Sequence, residues 1–170
     1  MKRDGNVWRH RETGTPVTAG RIEKMSKSKR NVVDPELIIS EYGADTARLF
    51  MMSDSPPERD MEWTEAGAEG AARFLKRLFR LSADDTLPSI GTPTPTDGPA
   101  MGLVRAAHKA IDAISNDIED FRFNRAVAQL YTLANAINEQ AADADGAGAA
   151  KRFAIETLTM LMAPIAPHIA

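Results

Sequence analysis

The sequence predicts a mainly α-helical protein with a small β-hairpin and loop head, and three observations carry that expectation. Of 170 residues, 43% are apolar but only 6% aromatic, which suits helices built on Ala and Leu and points away from β-sandwiches. From Thr64 onward, long apolar-periodic stretches alternate with short breaks rich in Pro, Gly and Asp, the pattern of an antiparallel helical bundle. Residues 1–31 lack that periodicity altogether.

Taken in order, Val7-Trp8 and Pro16-Val17-Thr18 read as short strands around the turn-prone run Glu12-Thr13-Gly14-Thr15, hence a hairpin too small to stand alone. Asp34-Pro35 is a helix start, with an acceptor side chain before a proline that needs no amide hydrogen. Leu37, Ile38 and Tyr42 continue that helix and Gly43 ends it. Asp45 is the expected start of the next helix, which Ser53-Asp54-Ser55-Pro56-Pro57 stops. Residues 58–63 are an extended connector, and Thr64 caps a long helix to about Ser82. Asp84 to Pro99 holds Pro88, Pro93, Pro95 and Pro99 and reads as a loop. Helices follow over roughly Met101–Asp117, Asn124–Gln140 and Gly148–Met162, with the small-residue linker Ala141–Ala150 before the last. The expected segments are therefore 1–33, 34–63 and 64–170.

The net charge of −3 conceals a division. Met1–Asn31 carries nine Lys/Arg against three Asp/Glu, a balance of +6, while Val32–Ala170 carries twelve against twenty-one, a balance of −9. A basic head on an acidic body faces an anion. With no cysteine in the chain, a disulfide framework and thiolate metal sites are excluded, and a reducing compartment is suited. The start Met1-Lys2-Arg3 is followed by Asp4 and Gly5 rather than an apolar run, so it does not read as a signal peptide. The apolar stretch Phe153–Ala170, broken by Pro164 and Pro167, is too short to span a membrane. A soluble, cytoplasmic protein with no membrane partner is expected.

The segment richest in chemistry is Lys24-Met25-Ser26-Lys27-Ser28-Lys29-Arg30-Asn31. Two lysines three apart, separated by small hydroxyl residues, are able to converge on phosphate oxygens as point charges. The same composition equally serves a solvated loop or a general nucleic-acid patch. A second basic group, Arg73, Lys76, Arg77 and Arg80, shares one helical face by its i, i+3, i+4, i+7 spacing. A solvated face and contact with nucleic-acid phosphates are both open for it.

Lys24–Ser28 is letter for letter the KMSKS signature, and the match runs on through Lys29-Arg30-Asn31-Val32-Val33-Asp34-Pro35 and Tyr42-Gly43-Ala44-Asp45-Thr46-Ala47-Arg48. The chain thereby resembles the class I aminoacyl-tRNA synthetases of the large-hydrophobic subgroup. Ser55-Pro56-Pro57, then Glu62-Trp63, then Glu69-Gly70-Ala71-Ala72-Arg73-Phe74-Leu75 resemble the leucyl-tRNA synthetases within it. Isoleucyl- and valyl-type enzymes, and a stand-alone, non-catalytic RNA-binding helical module, are the alternatives.

The resemblance implies that 1–33 is the edge of a catalytic Rossmann region, 34–63 a pair of connecting stem-contact helices, and 64–170 a tRNA-binding, anticodon-binding-type bundle. It implies an ATP-dependent leucine–tRNA ligase whose partners are tRNA(Leu), ATP and leucine. Mg2+ would be carried in by ATP, with no metal bound by this segment. Lys27 and then Lys24 are the implied catalytic residues, and Lys24, Met25, Ser26, Lys27 and Ser28 the implied ATP-binding set. Met25 would anchor the loop on apolar neighbours or pack near the adenine. The family's His-x-Gly-His signature is not matched at His10, His108 or His168. The chain is therefore expected to be part of a longer enzyme, cut at both ends and inactive alone.

Several residues carry blander expectations. Trp63 is a packing anchor, Arg48 pairs with Asp45 on the helix surface, and His168 is structural. Met51, Met52, Met160 and Met162 are core filler. Arg122 and Arg125 open a helix, where cations are disfavoured, and so require a partner, either an acid or RNA.

Overall fold

A computed structural model describes residues 2–4, 7–10, 12–18 and 20–170. The chain forms two compact units, Met1–Val33 and Asp34–Ala170.

In the first unit, strands β1 (Lys2–Asp4), β2 (Val7–Arg9) and β3 (Pro16–Val17) make an antiparallel sheet in the order β1-β2-β3. The expected hairpin is β2–β3, with Trp8 opposite Val17 and Arg9 opposite Pro16. Its turn closes through Gly14, at φ +68°, whose amide donates to the His10 carbonyl at 2.9 Å. The added strand β1 sets Arg3 opposite Trp8.

The second unit holds six helices: α1 (Pro35–Tyr42), α2 (Ala44–Asp54), α3 (Glu65–Ser82), α4 (Met101–Glu119), α5 (Phe123–Glu139) and α6 (Ala147–Met162). The capping chemistry is as the residues dictate. The Asp34 carboxylate accepts from the Glu36 amide at 3.0 Å, and the Thr64 hydroxyl accepts from the Gly67 amide at 3.2 Å. Gly43, at φ +86°, both ends α1 and leads into α2, so that the helix begins one residue before Asp45 and frees that carboxylate for another task.

The core runs along α4, α5 and α6, where Ile114, Leu130, Leu133 and Ile137 are almost wholly buried. Helix α3 joins through Phe74, stacked on Tyr131 of α5 with centroids 3.7 Å apart. Trp63 is the packing anchor expected of it, edge-on to Phe50 at 4.9 Å. Of the four methionines assigned to the core, Met162 is buried and Met52 partly so. Met51 and Met160 are 55% and 68% exposed, because each lies on the outer face of its helix.

The proline-rich loop is irregular but tied down. Arg152 Nε of α6 donates to the Pro88 carbonyl at 2.6 Å. Pro88 and Pro95 lie against Gly148 and Gly146, where a Cβ would approach to 3.2 and 3.3 Å. No helix among the described residues is long and apolar enough to cross a membrane.

Two glycines test the packing. A Cβ on Gly67 would run into the Phe50 ring and lie 2.8 Å from the Thr64 hydroxyl, whereas one on Gly102 meets nothing within 4 Å. Chemical denaturation should show Gly67→Ala destabilising by about 1–3 kcal/mol and Gly102→Ala stabilising by about 0.5–1 kcal/mol. Equal effects would contradict the close approach of α3 to Phe50.

Candidate phosphate loop and nucleic-acid interface

The basic loop of the first unit is folded on itself by one residue that composition did not single out. Asn31 Oδ1 accepts from the Ser26 amide at 2.7 Å, and its Nδ2 donates to the Lys24 carbonyl at 3.4 Å. Inside that closure the Lys29 and Arg30 amides donate to the carbonyls of Ser26 and Lys27 at 3.1 and 3.2 Å. The hydroxyls of Ser26 and Ser28 bond each other at 2.8 Å. Arg30 takes φ +51°, a conformation that costs a non-glycine residue free energy and that the surrounding turn imposes.

The loop's cations differ in state. Lys29 Nζ is engaged by Glu23 at 2.7 Å. Lys24 and Lys27 are exposed, with no carboxylate within ion-pair distance among the described residues. Two uncompensated ammonium groups on a hydrogen-bonded turn, with the Ser26 hydroxyl between them and that of Ser28 beside Lys27, form a cationic surface suited to phosphate oxygens. Met25 is 45% exposed and contributes no buried apolar anchor in this unit.

In the second unit the α3 quartet divides. Arg77 Nη2 donates to Asn135 Oδ1 of α5 at 2.7 Å, and its guanidinium lies 5.8 Å from the centre of the Phe74 ring. Arg73 points outward beside Glu69 at 3.6 Å. Lys76 and Arg80 flank Phe79, which is 64% exposed, along a groove whose other wall includes Tyr42, Asp45 and His168.

Asp45 is the centre of a connection that local sequence patterns do not show. Its buried carboxylate accepts from His168 Nδ1 at 2.8 Å and from the Ile169 amide at 2.7 Å, with the His168 amide at 3.4 Å. Arg48 therefore does not pair with it as expected. Instead its Nε and Nη2 donate to the carbonyls of Ile165 and Pro164 at 2.9 and 2.8 Å. Arg122 and Arg125 find their partners in acids, Asp120 and the buried Asp117, the latter at 3.4 Å.

Comparison with known proteins bears on both units. The family described as class I tRNA synthetases (I, L, M and V) matches residues 13–64, and the anticodon-binding domain of tRNA ligase matches residues 102–170. A leucine–tRNA ligase of Rhodospirillum rubrum is 54% identical over 161 residues, and one of Brucella ovis is 52% identical over 167. Over nearly its whole length the chain is similar to leucine–tRNA ligases. These alignments take in 92% and 94% of the chain, which spans 19% of the length of either relative. A crystal structure of the ternary complex of Agrobacterium radiobacter K84 agnB2 LeuRS with tRNA and LeuAMS shares 27% identity at a TM-score of 0.73. It matches 86% of this chain and 20% of its own. The Pro-Pro and Glu-Trp connector thus points to the right branch of the synthetases.

Burial works against the charge of Asp45, but the bonds from His168 and Ile169 outweigh it and hold the carboxyl below its ordinary 3.8. A lowered folded value means that the stabilisation is present above the unfolded value and is lost as pH falls through the folded one. Asp45→Asn should cost about 1–3 kcal/mol near neutral pH. Its difference from the wild type should shrink below about pH 4, as read by thermal denaturation across pH. A difference that grew in acid would contradict the assignment.

Proposed function

We propose that this chain is the phosphate-handling and tRNA-binding part of a leucine–tRNA ligase. In this reading 1–33 is the edge of the catalytic region, 34–63 the connecting stem-contact helices and 64–170 the tRNA-binding bundle. The enzyme joins leucine to ATP, releasing pyrophosphate, and passes the leucyl group from the adenylate to tRNA(Leu). Mg2+ enters with ATP, and leucine is held by residues outside this segment. A cytoplasmic location accords with that role.

The observation that carries the reading is the state of the lysines in the 24–31 loop. When the leucine carboxylate attacks the α-phosphate, negative charge accumulates on the departing pyrophosphate. The barrier falls when positive charge already stands where that charge develops, so that no solvent need reorganise. Lys27 and Lys24, exposed and unpaired, meet that requirement, and a flexible ammonium is able to follow charge as it moves. Lys29 is already neutralised by Glu23 and fits a structural part. The hydroxyls of Ser26 and Ser28 offer neutral donors, and Asn31 keeps the turn closed around them. Met25, exposed beside them, is assigned to the adenine side of the ATP site. Arg73, Lys76 and Arg80 are the outward phosphate contacts of the bundle. Arg77 serves them by fixing α3 to α5 through Asn135.

Exchange of this chain for the matching segment of the Rhodospirillum rubrum relative provides the test. The graft should support leucine-dependent ATP–pyrophosphate exchange and charging of tRNA(Leu), while the 170-residue chain alone should support neither. Lys27→Ala in the graft should slow exchange by about 10²-fold, the scale of a lost transition-state donor. An unchanged rate, or a graft that prefers isoleucine or valine, would overturn the assignment.

A further inference from the structure

We infer that Arg105 and Lys109 of α4, with Thr94 and Thr96 of the proline-rich loop, form a second RNA phosphodiester-binding surface, separate from the α3 face. The inference rests on the tRNA-binding reading above. These residues line one open groove of about 600 Å³, with His108 between the two cations. Arg105 and Lys109 are both exposed. One helical turn apart, they are offset by about 6 Å along the axis of α4.

Three features support this groove. First, its charge is uncompensated in a body with a balance of −9, as is that of Lys76 and Arg80 on the α3 face. Elsewhere in the unit Arg73, Arg122, Arg125 and Arg152 have carboxylate partners, whereas neither Arg105 nor Lys109 has one among the described residues. Second, the loop that presents the threonines is already ordered, by Arg152 on the Pro88 carbonyl and by Pro95 against Gly146, which lowers the entropy cost of using it. His108 is likewise packed, its ring 5.2 Å from that of Phe153. Third, the groove is lined by an ammonium, a guanidinium, an imidazole and two hydroxyls, and by no carboxylate. The two permanent positive charges suit a polyanion such as a phosphodiester backbone, while a neutral peptide backbone would leave them without a counter-charge. Contacts of this kind position a nucleic acid without reading its bases.

Filter binding of the 170-residue chain to tRNA(Leu) over roughly 50–200 mM KCl tests the inference. Arg105→Gln with Lys109→Gln should weaken binding by about ten-fold and flatten the slope of log K against log salt by about 1.5–2. Both positions are exposed on a helix, and glutamine keeps the helix intact. Lys109→Gln should flatten the slope by about 1, while Arg122→Gln, which removes the same charge from a residue already paired with Asp120, should not. An effect of Arg122→Gln equal to that of Lys109→Gln would reduce the groove to bulk charge and overturn the inference. So would displacement by polyglutamate as effective as by RNA. If Lys76→Gln with Arg80→Gln flattens the slope and the α4 pair does not, this inference fails and the tRNA-binding reading stands. If the wild-type chain shows no salt-dependent tRNA binding, both fail.

Discussion

The helical unit depends on the buried carboxylate of Asp45, because that group and its neighbour Arg48 tie the start of α2 to the turn that follows α6. A buried charge is costly unless every lone pair finds a donor. Here the imidazole of His168 and the amides of residues 168 and 169 supply them, from positions more than a hundred residues away. Arg48 completes the connection through the carbonyls of Pro164 and Ile165, which no longer have helical donors of their own. Apolar contacts alone would let α2 slide on the bundle; directional bonds at both edges of the turn fix it. The groove beside α3, with Lys76 and Arg80 on its rim, takes its shape from this connection.

Charge follows a consistent rule across both units. Cations needed for architecture are engaged: Arg77 by Asn135, Arg125 by Asp117, Arg152 by the Pro88 carbonyl, Lys29 by Glu23. Among those left exposed without carboxylates in the described residues, Lys24 and Lys27 in the loop, Lys76 and Arg80, and Arg105 and Lys109 lie in local clusters, while others such as Arg59 stand apart from them. In the proposed reading, a protein with an acidic body thereby offers basic surfaces to a polyanion, and the remaining negative charge discourages contact elsewhere. The balance of +6 and −9 is thus realised at the level of single side chains.

Much of this was legible in the sequence, and the exceptions share a cause. The caps at Asp34 and Thr64, the helix-ending Gly43 and the β2–β3 hairpin obey local rules, and the structure follows them. The basic segment at residues 24–31 was legible because its charges are contiguous. Asp45 was misassigned as a helix start and Arg48 as its partner. Their true partners lie across the fold, and no local pattern marks a carboxylate that will be satisfied from the far end of the chain. Asn31 was passed over for a related reason, since an amide that closes a turn has no charge to advertise it. The division of the α3 quartet required knowing that α5 passes beside Arg77. The exposure of Met51 and Met160 required knowing which face of each helix is covered.

The central claim is that pairing, and not mere positive charge, decides which lysines of the 24–31 loop act on the departing pyrophosphate. The most direct measurement is leucine-dependent pyrophosphate exchange in the grafted ligase, comparing Lys24→Ala, Lys27→Ala and Lys29→Ala. Each variant removes one positive charge from the same loop. The account predicts large losses at Lys27 and Lys24, and a loss at Lys29 at least ten-fold smaller than at Lys27, roughly 1.4 kcal/mol or more in the barrier. Equal losses at all three positions would contradict it, and would mean that the loop works by total charge alone.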